Sequence, residues 1–165
     1  MKVIFKNTSL VFQQQVAIEW RSLTVKHGSF NAQTGLIVED TNQSSPTSSS
    51  RYISTEYIDV TQEPNVKVTV SGYAGTPAPA FVILFYDASK NYIGLVGDNW
   101  VVPTTFTSGQ EYNVLDDFDT FSHYESGTDV PVSKATIQAN AKYFRIGVRY
   151  PTPLNEGSSV TIAVG

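Results

Sequence analysis

The sequence contains no cysteine, which excludes a disulfide framework and any thiolate metal site. Histidine is nearly as scarce, with only His27 and His123. A zinc site wants His or Cys at short spacing, and this chain has neither. Nucleophilic hydrolysis needs a nucleophile with a base in reach, and no Gly-x-Ser-x-Gly elbow accompanies the two histidines. No glycine cluster leads into a helix, so the phosphate-cradling loops are missing as well. Basic residues are few: 11 Lys and Arg against 15 Asp and Glu give a net charge of −4. They are scattered singly, which argues against nucleic acid, whose binding rests on clustered cations. No apolar run approaches the length of a membrane span. These shortages lead us to expect no catalysis, no cofactor, no metal, no nucleic-acid partner and no membrane insertion.

The N-terminus opens Met1-Lys2-Val3-Ile4-Phe5, but Lys6-Asn7-Thr8-Ser9 interrupts the apolar run too early for a signal-peptide core. The expectation is a chain made in the cytoplasm without an export signal. Val3-Ile4-Phe5 and Leu10-Val11-Phe12, separated by that polar stretch, read as a short hairpin. An isolated two-stranded hairpin is marginal in water. Val3, Phe5, Leu10 and Phe12 must therefore extend the main sheet or dock on another subunit. Residues 1–18 are read as this hairpin or anchoring arm, and residues 19–165 as one β-domain.

What the sequence does have is β-forming residues. Tyr and Phe number nine each, and Thr, Ser and Val are abundant while Leu is not. Aromatic and β-branched side chains suit a pleated, half-buried surface. Val66, Val68 and Val70 alternate with Lys67, Thr69 and Ser71, the clearest period-two strand in the chain. Phe144, Ile146 and Val148 alternate with Arg145, Gly147 and Arg149, and Val160, Ile162 and Val164 with Thr161 and Ala163.

Phe81 to Tyr86 is apolar on both alternating faces, which predicts a central strand covered on both sides. It runs into Asp87-Ala88-Ser89-Lys90-Asn91, turn chemistry in which Asp87 starts the reversal and Asn91 tolerates a left-handed backbone. TNQSSPTSSS, residues 41–50, reads as a solvated loop. No long segment holds a convincing helical period; Ser133 to Ala141 comes closest. Short strands with turn signals every 8–12 residues or so predict an antiparallel two-sheet β-sandwich of about eight strands.

The order Tyr57-Ile58-Asp59-Val60, then Val66 to Tyr73, then Phe85 to Gly94, then Asn140 to Arg149 resembles the carbohydrate-binding-like jelly-roll domains of bacteriophage fibre, tail and capsid-decoration proteins. Similar domains are appended to bacterial glycan-degrading enzymes. The resemblance covers roughly residues 20 to 165 and rests on strand signatures. It implies a jelly-roll sandwich without catalysis of its own, and the lack of an attached catalytic region or signal peptide tilts it toward the virion. On that basis the expected function is a non-enzymatic virion component: a head fibre, capsid decoration or tail accessory protein. Expected partners are other virion proteins, further copies of the chain (a trimer, for example) and a surface glycan. The alternative is a carbohydrate-binding module that stacks sugars on loop aromatics.

Sugar recognition needs flat aromatic faces beside polar groups. Trp100, Tyr112, His123 and Tyr124 fall in segments read as loops, where an aromatic is harder to explain as core, and they are the glycan candidates. Asp116, Asp117, Asp119 and Glu125 form the one acidic cluster. Its readings are a solvated turn-rich loop with one helical turn, a calcium site, or a glycosidase carboxylate pair.

Overall fold

The computed structural model describes residues 17–31, 33–43, 51–72, 80–96, 105–125, 128–149 and 159–165. Within them the chain forms β1 (Arg21–Ser22), β2 (Lys26–Phe30), β3 (Ile37–Glu39), β4 (Arg51–Ile53) and β5 (Ile58–Asp59). Next come β6 (Asn65–Ser71), β7 (Ala80–Tyr86), β8 (Tyr92–Val96), β9 (Glu111–Asn113), β10 (Phe121–Glu125) and β11 (Thr128–Val132). Helix α1 (Lys134–Asn140), β12 (Tyr143–Arg149) and β13 (Ser159–Val164) complete the described elements. The anchoring residues Val3, Phe5, Leu10 and Phe12 lie outside the described residues.

Every paired strand is antiparallel, and the strands form two sheets. The smaller runs β1-β13-β6-β9; the larger runs β11-β10-β8-β7-β12-β4-β2-β3, with β5 also on β12. The architecture is an all-β sandwich with one short helix among the described residues. Thirteen strands are described rather than about eight, because β1, β3, β4, β5 and β9 are pieces of two or three residues. Segments that short carry no readable alternation.

The alternations seen in the sequence set the core. Val66 and Val68 of β6 and Ile162 and Val164 of β13 meet Ile83, Phe85, Phe144, Ile146 and Val148 of the larger sheet. Ile137, the buried residue of α1, plugs the same core. Ser133 caps that helix by accepting a hydrogen bond from the Thr136 amide at 3.1 Å. A helix with a single apolar anchor leaves only a faint 3.6-residue signal. The smaller sheet is tied to the end of β13 by reciprocal backbone bonds between Asn65 and Gly165, at 2.9 and 3.1 Å.

Strand β7 is filled on both faces, as its sequence predicts. Ile83 and Phe85 enter the sandwich, while Val82, Leu84 and Tyr86 form a second cluster with Ile37, Ile53 and Leu95 on the outer face. The cover is the β2–β3 hairpin. The Tyr86 hydroxyl donates to the Gly35 carbonyl, and Gly35, at φ 66°, lies so close to the Tyr92 ring that a Cβ would come within 2.6 Å of it.

The β7–β8 turn holds as expected, with one difference. Asp87 Oδ1 accepts from the Ser89 and Asn91 amides at 2.8 Å each. The left-handed residue, however, is Lys90 at φ 64°, not Asn91. The Lys90 amide bonds the Asp87 carbonyl and the Asp87 amide bonds the Asn91 carbonyl. That is a type I turn closed by a left-handed residue, a position usually given to glycine. Beyond the turn, the register shifts between Phe85 and Tyr86. This bulge sends Ile93 into the sandwich core and leaves Tyr92 with the outer cluster.

Candidate functional site

The outer face of the larger sheet carries a run of aromatic side chains ended by two cations. Residues on alternate positions of one strand share a face, so Tyr143 and Arg145 of β12 stand together, opposite Tyr86 and Leu84 of β7. Strand β5 pairs with β12 through Ile58 and Asp59. That pairing turns Ile58 into the core and leaves the preceding Tyr57 on the outer side, 37% exposed.

The rings form a connected set. Tyr57 meets Tyr86 edge-on with centroids 5.0 Å apart, and Tyr143 at 6.1 Å. Tyr86 continues to Tyr92 at 5.9 Å, and Tyr92 to His123 at 5.1 Å. The Arg145 guanidinium carbon lies 4.7 Å from the Tyr57 centroid and 6.0 Å from that of Tyr86. Lys90 reaches from the β7–β8 turn to place Nζ 4.7 Å from the Tyr57 centroid and 5.8 Å from that of Tyr143. Both contacts are cation–π interactions in range and kind.

Burial sets the electrostatics of this face. Arg145 is only 7% exposed, and its Nε has no hydrogen-bond partner. Burial pushes the Tyr86 phenol up to about 12, with the neighbouring Arg145 pulling the other way. Burial also raises the Tyr92 phenol, with Tyr86 and Asp129 adding to the effect. Both phenols therefore stay neutral across the ordinary pH range.

The sequence candidates are distributed unevenly. Trp100 lies outside the described residues. Tyr112, His123 and Tyr124 stand in strands β9 and β10 rather than in loops. Their neighbours are polar and acidic, which hid two short strands: β9 pairs with the distant β6, and β10 with β8 and the adjacent β11. Tyr112 belongs to the smaller sheet: it stacks on Phe118 at 5.9 Å, and its hydroxyl accepts from the Thr107 amide. It packs against the sandwich core, so the fold separates it from His123. His123 does join the outer aromatic run, through Tyr92. Sequence reasoning missed Tyr57, Lys90, Tyr143 and Arg145. The signal for two of them was present in the alternation of β12, with Tyr143 and Arg145 on the non-core face.

The acidic stretch builds its own loop and the seat of α1. Asp117 Oδ2 accepts from the Asn113 amide at 2.6 Å, and the Asp117 amide bonds the Asn113 carbonyl in a single helical turn. Asp116 accepts from the Gln138 side chain at 3.0 Å, and Asp119 pairs with Lys134 at 3.2 Å. Among the described residues no three His, Cys, Asp or Glu side chains are grouped to hold a metal, and no helix is long and apolar enough to cross a membrane.

Comparisons of the chain with protein-family models, with curated proteins and with solved structures found no match.

Proposed function

We propose that this chain is a non-enzymatic accessory protein of a phage particle, a head fibre, capsid decoration or tail component, that displays a jelly-roll-type sandwich. The observation that supports this reading is the placement of the strands carrying the resemblance. Strands β7, β8 and β12 are neighbours at the centre of one sheet, and β6 lies in the sheet that faces them. Strand β7, packed on both faces, makes the larger sheet a stiff plate rather than a hinge. A plate of this kind suits display, because it holds surface groups in fixed positions while doing no chemistry itself. Residues 1–18 would serve as the attachment arm, adding strands to a neighbouring protein's free edge.

The test is made on particles. Purified virions should contain the chain in fixed stoichiometry, with antibody labelling on the outer surface. A chain lacking residues 1–18 should fold but fail to join the particle. Absence of the chain from purified virions would overturn the proposal. Incorporation unaffected by the truncation would overturn the role of the arm.

A further inference from the structure

We infer that Tyr57, Lys90, Tyr143 and Arg145 form a binding site for a carboxylate-bearing saccharide, of which a uronic-acid residue is the simplest form. The first observation is a pairing pattern. Among the described side chains, Arg21 pairs with Glu56 and Glu63, Lys26 with Glu39, Lys67 with Glu111, Lys134 with Asp119 and Lys142 with Asp59. Of the cations whose side chains are described, Lys90 and Arg145 are the two outside these ion pairs, and both converge on the Tyr57 ring at 4.7 Å.

The acidic groups around them are occupied. Asp87, in the Lys90 turn, spends its carboxylate on Ser89 and Asn91, the latter through both backbone and side chain. Asp59, beside Tyr143 in register, is held by Lys142 and Thr61. Among the described residues, neither carboxylate forms an ion pair with Lys90 or Arg145.

Each cation is also kept at a cost to the fold. Arg145 is nearly sealed from water with Nε unsatisfied, and a buried charge without an acidic partner is destabilising. A hydrophobic residue would fill that position more favourably. Lys90 occupies a left-handed backbone position that glycine would take without strain. Two independent departures from good local design that meet on one exposed ring are the mark of a site.

The ligand class follows from what the face offers. Strands β7 and β12 are hydrogen-bonded on both sides at Tyr86 and Tyr143, so neither offers a free edge there to an extended peptide. Recognition must run through side chains: a half-exposed ring for the C–H face of a sugar, and cations for its carboxylate. His123 and Tyr92 continue the aromatic run beyond the cationic end, in line with further sugar units of a chain. This deepens the display reading by giving the displayed face a ligand. It is judged by binding, whereas that reading is judged by incorporation into particles.

The experiment is calorimetric titration of the full chain with oligogalacturonate, with the matching neutral oligogalactose, and with a poly-glutamate peptide of similar charge. The uronate should bind saturably, at least about tenfold more tightly than the neutral oligomer, the loss expected when a charged partner is removed. Lys90→Gly and Arg145→Met should each weaken uronate binding by about tenfold or more, while melting temperatures hold or rise. Absence of uronate binding, equal binding of the neutral oligomer, or full affinity in Lys90→Gly would overturn the inference. Tighter binding of poly-glutamate than of the uronate would overturn the saccharide assignment.

Discussion

The Tyr86 hydroxyl donates a hydrogen bond to the Gly35 carbonyl oxygen, fastening the β2–β3 hairpin to the centre of the larger sheet. Tyr86→Phe keeps the ring but orphans that carbonyl, which costs about 1 kcal/mol. A pH signature accompanies it. Burial holds the folded-state phenol at about 12, above its unfolded value of 10.0. The neutral phenol's contribution is therefore full below pH 10 and is lost as pH rises through about 12. Urea midpoints should fall across that window in the native chain and fall less in Tyr86→Phe.

Gly35 supports the same junction from the other side. Its φ of 66° and the 2.6 Å approach of a Cβ to the Tyr92 ring leave no room for a side chain. Gly35→Ala should cost about 2 kcal/mol or more, from left-handed strain plus displacement of the ring. Thermal melting of the two proteins side by side measures it.

The two-faced packing of β7 can be checked with a matched pair. Ile83 points into the sandwich and Leu84 into the outer cluster, and both are fully buried. Ile83→Ala and Leu84→Ala should each destabilise by about 2–5 kcal/mol. Were the outer face bare, Leu84→Ala would change stability by no more than about 0.5 kcal/mol. Denaturant titration separates the cases.

Asp59 gives an acid-side expectation. Lys142, 2.7 Å away, and the Thr61 hydroxyl and amide hold its carboxyl down at about 2, below the ordinary 3.8. The stabilisation is present above the unfolded value and lost as pH falls through the folded one. Asp59→Asn should be less stable than the native chain at neutral pH. The two stability curves should converge as pH approaches about 2.

The long strands were legible because a period of two survives in them. In β6, β12 and β13 the inward residues are Val, Ile or Phe and the outward ones polar or small. In β7 the absence of a polar face correctly pointed to cover on both sides. The hairpin that supplies that cover was not legible, because Asn31 to Gly35 is polar and its role depends on one carbonyl and one missing Cβ. The candidate site was hidden for a related reason. Tyr57, Lys90 and Arg145 come from three separate segments and meet only through the register of β5 on β12 and of β12 on β7. A single sequence carries the alternation of each strand but not the register between them. Tyr112, His123 and Tyr124 read as loop residues because β9 and β10 are short strands with polar and acidic neighbours and no clear alternation of their own.

The bonds joining Asn65 to Gly165 connect residues 100 positions apart, and this bears on how the chain reaches its fold. Strand β13 lies between β1 and β6, so the smaller sheet cannot close until the far end of the sequence arrives. Bringing distant segments together sacrifices chain entropy before any contact repays it, and folds dominated by such pairings mature over milliseconds to seconds. The β7–β8 hairpin, closed by its own turn, can form at once and wait. Refolding should therefore show early protection of amides in β7 and β8 and late protection in β6 and β13, with the valine-rich face of β6 exposed to neighbouring molecules during the interval.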